Sequence, residues 1–390
     1  VGDYSLAASD RRASMAALFL KKLPAIPQAE LDAASKVEAG ILARSLNSTI
    51  EGNRFGQRAI NFTTYSSWHQ SFAGMANNLP FKSKADFESY NARLAQYGQV
   101  NAQNIEVANV AIRGKYTQPC ETLNGFEATI TGLIAPDPRK ARHFGPYLQS
   151  RPDGISAAEF EGLANEAAKT IETVIYPALR QQLDWYVKSY KPACAKAPGI
   201  SAQPGGAAFY DFRIREETTT NLNAEEIHSI GLTEVARIRS EMVEVARKAG
   251  FDSREAFIQH LRTDPQYYAK SPEELMEKTA RVAKYIDGKM PSLFGKLPRL
   301  PYGLREIPKE TAQGTTTAYY NPGSPDVGIS GTYYVNTSKL NQRPFWEIPA
   351  LSMHEAVPGH HHQIALQQEL PLSDFRKNGA FFTAFVEGWG

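Results

Sequence analysis

The stretch HEAVPGHHH, residues 354–362, decides the fold of this chain, together with FVEGW at residues 385–389. Four of the eight histidines in 390 residues lie in the first stretch, so imidazole side chains are concentrated there. Neutral imidazole and carboxylate are the ligands that a catalytic zinc ion takes from a protein. A His followed directly by Glu adds a second group, because the Glu can accept a proton from water beside the metal. The pattern predicts a metal centre with His354 as a ligand and Glu355 as a general base.

The spacing of the histidines departs from the common H-E-x-x-H pattern, in which two ligands four residues apart face the same side of a helix. Here the next histidines follow the first one at six and seven positions. Pro358 cannot donate a helical hydrogen bond and Gly359 tolerates unusual dihedral angles, so we expect the helix to be interrupted here. Without residues 357–358 the motif would be His-Glu-Ala-Gly-His. We therefore predict His360 as the second ligand, with His361 as the other candidate.

Simpler interpretations of these residues stay open. A His-Glu pair is common on the solvated face of a helix, and a run of histidines can bind metal without a catalytic role. Glu387 follows a strongly apolar stretch, residues 380–386, in which a carboxylate is costly to bury unless it is paired or bound to a metal. A buried Glu387 would therefore have to be paired or bound to a metal, which favours a metal site. The alternative is a carboxylate on the wet face of an amphipathic helix.

Several segments together resemble the bacterial family known as domain of unknown function 885. They are YYVNT at residues 333–337, MHEAVPGHH at residues 353–361 and AFVEGW at residues 384–389. Residues 221–235 add to the resemblance, and the helical N-terminal half does so more weakly. That family is grouped with zinc peptidases of the gluzincin type, which are distantly similar to thimet oligopeptidase, angiotensin-converting enzyme and the thermostable carboxypeptidases. The resemblance implies a zinc metallopeptidase, that is, a hydrolase.

The same resemblance implies a role for each motif residue. His354, His360 and Glu387 would bind Zn2+, and Glu355 would be the general base. Members of the family usually continue well past the Glu-Gly-Trp segment, whereas this chain ends at Gly390, where the family usually has Ala. We therefore expect a fragment or a clipped product, which needs its C-terminal continuation or a second chain. Residues 1–390 alone are expected to be poorly active, with no oxyanion-stabilising residue assignable.

Composition agrees with a globular protein and excludes few functions. A chain of 390 residues with 42% hydrophobic content can bury one large core or several smaller ones. The formal net charge of +2, without a dense run of Lys and Arg, argues against a nucleic-acid partner. No apolar stretch approaches the roughly 18 residues of a membrane span. The chain starts at Val1 without a signal-like segment, so any export signal is removed or was never present.

The two cysteines give a hint about the compartment. Cys120 and Cys194 both lie in turn regions marked by proline, which suits a disulfide between two loops in an oxidising compartment. Two free thiols are the alternative. Because relatives in the resembling family often carry export or lipoprotein signals, we expect an extracytoplasmic location, periplasmic or anchored as a lipoprotein.

The secondary-structure signals are mostly helical. Capping patterns predict helix starts at Ser83, Ser156, Asn223 and Ser271. A helical stripe from Phe160 to Val187 contains Pro177, which predicts a kink. Segments 315–320 and 327–335 are rich in β-branched and aromatic residues and flank the turn NPGSP, which predicts a small sheet. The Pro- and Gly-rich residues 199–206 suggest a boundary between a helical half, 1–200, and a metal-motif half, 201–390.

The sequence therefore predicts a mainly α protein with long helices and a small β-sheet beside the metal-motif helix, a gluzincin-like architecture. The predicted function is zinc-dependent hydrolysis of peptide substrates. An edge strand of the sheet would bind the substrate backbone as an additional strand. The alternative is an ordinary hairpin that packs under the helices. The alternative function is a non-catalytic binding or scaffold protein on a decayed or truncated peptidase fold.

Overall fold

The computed structural model describes residues 2–390, and Val1 lies outside the described part. The protein is mainly α-helical with one small sheet, which confirms the predicted fold class at this level. It divides into two compact units, Val1–Phe212 and Arg213–Gly390. The division lies within the helix Gly206–Thr218, after the Pro- and Gly-rich residues 199–206.

The first unit is built from helices joined by short 3₁₀ turns. Its helices are α1 (Leu6–Lys22), α2 (Ala33–Gly52), α3 (Trp68–Gly74), α4 (Lys84–Leu94), α5 (Tyr97–Gly114), α6 (Phe126–Thr131), α7 (Ala157–Thr170), α8 (Tyr176–Trp185) and most of α9 (Gly206–Thr218).

The predicted helix starts are confirmed. Ser83 and Ser156 each accept a hydrogen bond from the backbone N–H three residues on, and the acidic side chain there bonds back to the cap. These reciprocal bonds satisfy N–H groups that have no partner within the helix. Near Pro177, where the sequence predicts a kink, the helix contains a π-helical turn, Ile171–Ile175, and a second one, Tyr186–Tyr190, follows α8. Pro177 cannot donate a helical hydrogen bond, and the wider turn accommodates this.

The core of the first unit is rich in aromatic side chains. Tyr90, Tyr97 and Tyr186 are fully buried, and Phe62 packs against Trp68 and Phe126. A disulfide joins Cys120 to Cys194. Of the two predicted alternatives, a disulfide or two free thiols, the structure has the disulfide. The loops carrying these cysteines also exchange backbone hydrogen bonds, Cys120 N–H to Ala195 O and Ala195 N–H to Gln118 O.

The second unit contains the remaining helices and the sheet. Its helices are α10 (Ala224–Lys248), α11 (Arg254–Thr263), α12 (Pro272–Asp287), α13 (Met290–Leu293), α14 (Lys309–Ala312), α15 (Ile348–Glu355), α16 (His360–Glu369) and α17 (Thr383–Trp389), with a π-helical turn at Phe375–Gly379. Asn223 and Ser271 cap α10 and α12 as predicted.

The sheet has three strands, β1 (Tyr302–Glu306), β2 (Ala318–Asn321) and β3 (Gly331–Val335). The central strand β3 is antiparallel to β2 and parallel to β1. The β2–β3 hairpin is the one that the sequence predicts, whereas β1 was not predicted. Helix α15 packs against β2 and α12, and Tyr333, Val335, Ile348 and Ala356 form the buried core between them. The sheet thus supports the helix that carries the His-Glu pair.

Across residues 2–390, no helix is both long and apolar enough to cross a membrane. This agrees with the sequence, in which no such stretch is found.

Candidate metal centre

The helix that carries the motif is interrupted where the sequence predicts. Helix α15 ends at Glu355, and α16 begins at His360. The Gly359 N–H donates to Met353 O at 2.8 Å, and the His362 N–H donates to Ala356 O at 3.3 Å. Both bonds reach six residues back, whereas a regular α-helical bond reaches four. The two additional residues of the motif are therefore accommodated in a widened turn, which contains the cis peptide Val357–Pro358.

The turn requires glycine at position 359. A Cβ atom there would lie 1.9 Å from the His354 carbonyl oxygen and 2.4 Å from that of Met353. Both neighbours are backbone atoms, which cannot move aside as a flexible side chain can. The backbone of Gly359 therefore passes directly over the last turn of α15, and this close approach brings α16 back toward His354.

His354, His360 and Glu387 converge. Glu387 Oε2 lies 3.6 Å from His354 Nε2 and 3.8 Å from His360 Nε2. All three donor atoms lie within 4.8 Å of one another, and the two imidazole rings are 4.4 Å apart at an angle of 74°. Tetrahedral zinc with bonds of about 2.0–2.1 Å holds its ligand atoms about 3.3 Å apart. Two imidazoles and a carboxylate are a zinc ligand set, and their donor atoms would have to move closer together to hold the ion at these bond lengths.

Glu387 is not buried, although it follows a strongly apolar stretch. Its side chain is 55% exposed, because α17 lies on the surface of the second unit. The helix is held at both ends instead. Trp389 Nε1 donates to Pro358 O at 2.6 Å, and the Thr383 hydroxyl donates to Glu217. The first of these bonds fixes the helix that carries Glu387 against the turn between His354 and His360. The sequence analysis did not predict this role of Trp389.

Glu355 has the properties of a proton acceptor at neutral pH. The residue is only 6% exposed, and burial raises the pKa of its carboxyl to about 7. The charge of His354 lowers this pKa, and the charge of Glu387 raises it. A hydrogen bond from the Tyr320 N–H to the carboxylate also lowers the pKa. A carboxyl with a pKa near 7 can both accept and donate a proton around neutral pH, which is what general acid–base catalysis needs.

His361 faces away from this cluster. It is 2% exposed, its Nδ1 lies 3.0 Å from the Tyr320 hydroxyl, and its ring lies 4.9 Å from that of Tyr302. Burial lowers the pKa of His361 to about 4, so the ring is neutral. Burial also lowers the pKa of His360 and so favours the neutral imidazole that binds metals. Of the two candidates for second ligand, the structure places His360 in the cluster and His361 against the sheet.

The remaining histidine of the run has a packing role. His362 is buried, and its ring lies 4.6 Å from that of Phe294. Phe294 also lies 6.4 Å from Trp389. One aromatic side chain thus contacts both α16 and α17, the helices that carry two of the three converging donors.

The strand beside α15, β2, lies at the edge of the sheet. Asn336 N–H donates to Thr317 O at 3.0 Å, which makes residues 317 and 336 a hydrogen-bonded pair. In an antiparallel ladder such pairs alternate, so the N–H and C=O groups of Ala318 and Tyr320 face away from β3. The Tyr320 N–H accordingly reaches the Glu355 carboxylate. An edge strand and the proposed general base are therefore in direct contact.

Comparisons with known proteins agree with this architecture. A family model described as "Bacterial protein of unknown function (DUF885)" matches residues 1–390. The crystal structure of "the putative lipoprotein from Colwellia psychrerythraea" superposes with a TM-score of 0.86, covering 100% of this chain and 69% of that chain at 22% identity. At this identity the likeness shows the fold alone. No curated protein matches the chain significantly.

Proposed function

Because the chain belongs to this family of bacterial proteins of unknown function, we propose its activity from the site: it is a zinc-dependent peptidase of the gluzincin type. The observation that carries the proposal is the convergence of His354, His360 and Glu387 beside the buried Glu355. Two imidazoles and one carboxylate are the ligand set of several catalytic zinc sites, which leave a fourth position free. His354, His360 and Glu387 would hold the ion.

The chain's own residues supply the proton transfers. When bound, zinc supplies Lewis-acid chemistry, polarising a carbonyl group and making water more acidic. Glu355 accepts a proton from the attacking water and passes it to the leaving amine nitrogen. Its buried carboxyl beside the three converging donors is placed for both steps. The Tyr320 N–H holds the carboxylate in place for this exchange.

The edge position of β2 favours an extended peptide as substrate. Of the groups that face away from β3, those of Ala318 are buried and the Tyr320 N–H bonds to Glu355, so the Tyr320 C=O is the one that an extended backbone can pair with. Main-chain pairing of this kind recognises the peptide backbone and depends little on its side chains. It therefore favours a peptidase over a hydrolase for compact small molecules.

An extracytoplasmic location fits the proposal. Disulfides persist in oxidising compartments, and Cys120 is bonded to Cys194. The structural neighbour is described as a putative lipoprotein, which is in line with the export expected from the family resemblance.

The proposal is tested by measuring zinc content and peptide hydrolysis together in the intact gene product. Glu355→Gln keeps the size of the side chain but cannot accept a proton. We expect full zinc content and a loss of hydrolysis on the order of 10²–10⁴-fold against a mixed fluorogenic peptide library. Glu277→Gln, an exposed change of the same kind on α12, should match the wild type.

Three outcomes would count against the proposal. Wild-type protein without stoichiometric zinc would remove the metal centre. Unchanged hydrolysis by Glu355→Gln would remove the general base. Zinc without hydrolysis of any peptide in the wild-type protein would favour the non-catalytic binding or scaffold function instead.

A further inference from the structure

The first unit contains a pocket that the proposed metal centre does not use. Its volume is about 540 Å³, and every residue that lines it belongs to the first unit. Small-molecule sites commonly have volumes of roughly 300–1,000 Å³. The walls come from the first turns of α1, from α3 with the loop before it, and from the side of α5 that carries Val100 and Asn104. The pocket is large enough for a ligand of small-molecule size.

The wall of this pocket is cationic. Arg12, Arg58 and Arg93 line it, and the lining contains no aspartate or glutamate among the described residues. Arg58 is neutralised by Asp10, whose Oδ1 lies 2.5 Å from its Nη1. Arg12 Nη1 lies 3.5 Å from the Asp3 carbonyl oxygen, a long contact. Within residues 2–390, neither Arg12 nor Arg93 has a carboxylate partner, and uncompensated positive charge in a concave surface attracts anions.

Hydroxyl groups and an apolar floor complete the wall. Ser66 and Ser71 line the pocket, and in the described part of the chain their hydroxyls have no hydrogen-bond partner, so they can donate to a ligand oxygen. Trp68 and Phe72 are also part of the lining, and both are more than nine-tenths buried. The Trp68 Nε1 already donates to Asn101 at 2.9 Å, which leaves its ring as an apolar surface.

We propose that this pocket binds a small organic anion, with a carboxylate or phosphate group against Arg12 and Arg93 and an apolar body against Trp68 and Phe72. Guanidinium groups recognise both carboxylate and phosphate oxygens through charge-assisted hydrogen bonds. The serine hydroxyls add donors for the same oxygens. The apolar floor adds binding energy that a free inorganic ion cannot gain.

Calorimetric titration of the intact protein tests the proposal with four probes: phenyl phosphate, benzoate, benzyl alcohol and inorganic phosphate. We expect one or both aromatic anions to bind, and to bind more tightly than inorganic phosphate. Benzyl alcohol should not bind measurably. Whichever aromatic anion binds more tightly identifies the head group.

Two substitutions test whether the aromatic anion binds in this pocket. Arg93→Gln should weaken the aromatic anion at least about tenfold, because it removes a charge-assisted hydrogen bond. Arg113→Gln, an exposed arginine on α5 that pairs with Glu106 outside the pocket, should leave the affinity unchanged. Equal affinity in Arg93→Gln and wild type, or no saturable binding of either aromatic anion, would overturn the proposal. Binding of inorganic phosphate as tight as that of phenyl phosphate would also overturn it, because the apolar floor would then contribute nothing.

Discussion

The Tyr320 hydroxyl lies 3.0 Å from Nδ1 of His361, the residue directly after the proposed ligand His360. The backbone N–H of the same tyrosine bonds to the Glu355 carboxylate at the end of α15. One residue of the edge strand therefore contacts both halves of the interrupted motif. Gly331 leaves the room for this contact, since a Cβ there would lie 2.3 Å from the Tyr320 hydroxyl oxygen. The sheet fixes how far α16 lies from α15, and so how the two histidines face each other.

Tyr320→Phe is expected to weaken zinc binding while the fold is kept. The change removes the hydroxyl that contacts His361 but keeps the ring and the backbone N–H. Loss of an outer hydrogen bond near a metal site typically costs about 10–100-fold in affinity, and we expect the lower end because His361 is not itself a ligand. Competition with a chromophoric chelator measures the affinity. Tyr334→Phe, which removes a hydroxyl from the neighbouring strand β3, is the control, and equal affinities in the two variants would contradict the role of Tyr320.

The two candidates for second ligand should respond differently to alanine. His360→Ala is expected to abolish stoichiometric zinc, since it removes one of the three converging donors. His361→Ala should retain one zinc per chain with reduced affinity, because its ring packs against Tyr302 and Tyr320. Elemental analysis after dialysis measures the stoichiometry. Full zinc in His360→Ala with none in His361→Ala would reverse the assignment.

Gly359→Ala is expected to disrupt the metal site. The added methyl group would meet the His354 carbonyl oxygen at 1.9 Å, so the turn between α15 and α16 would have to open and His360 would move. We expect loss of zinc and a lower melting temperature. Gly231→Ala on α10 is the matched control, because a Cβ there meets nothing within 4 Å and alanine gains about 1 kcal/mol in helix propensity. Zinc content equal to wild type in Gly359→Ala would show that the turn can relax.

Much of this fold could be predicted from interactions between residues that are close in the sequence. Features that depend on contacts between distant residues could not be predicted. The capping residues Ser83, Ser156 and Asn223 act on N–H groups three residues away, so the sequence contains the whole interaction. The interruption at Pro358 is likewise a property of the residue itself. Strand β1 escaped prediction because it pairs in parallel with a strand about 30 residues away, so no local turn marks it.

The exposure of Glu387 could not be derived from its apolar neighbours. In α17 it depends on which face of a short helix meets the rest of the unit, and that is decided by contacts such as Trp389 with Pro358. The convergence of the three donors depends on the same contacts. Composition around a residue indicates the burial of a segment, whereas the burial of one side chain is set by tertiary packing.

Removing the disulfide is expected to destabilise the first unit. Cys120 and Cys194 close a loop with a sequence separation of 74. Cross-linking a loop of that length lowers the conformational entropy of the unfolded chain and so stabilises the folded state by about 4 kcal/mol. The double variant Cys120→Ser with Cys194→Ser should therefore unfold at lower urea concentration. A reducing agent should lower the wild-type midpoint to a similar extent and leave that of the variant unchanged. Equal midpoints for oxidised wild type and variant would contradict this prediction.

Acid is expected to destabilise the first unit through two buried histidines. Burial lowers the pKa of His69 to about 3 and that of His143 to about 4. The unfolded chain, with a His pKa near 6.5, binds protons that the folded chain cannot, so stability falls as the pH drops below about 6.5 and levels off near the folded-state pKa values.

Between pH 7 and pH 5 we expect the free energy of unfolding to fall by about 2 kcal/mol for each histidine, measured by urea unfolding with tryptophan fluorescence. His143→Leu removes one titrating group, whose two ring nitrogens have no partner in the described residues, and should reduce this pH dependence by about 2 kcal/mol. His228→Gln, at an exposed position on α10, should leave the dependence as in the wild type. An unfolding midpoint that is the same at pH 5 and pH 7 would show that these imidazoles can be protonated without leaving the core.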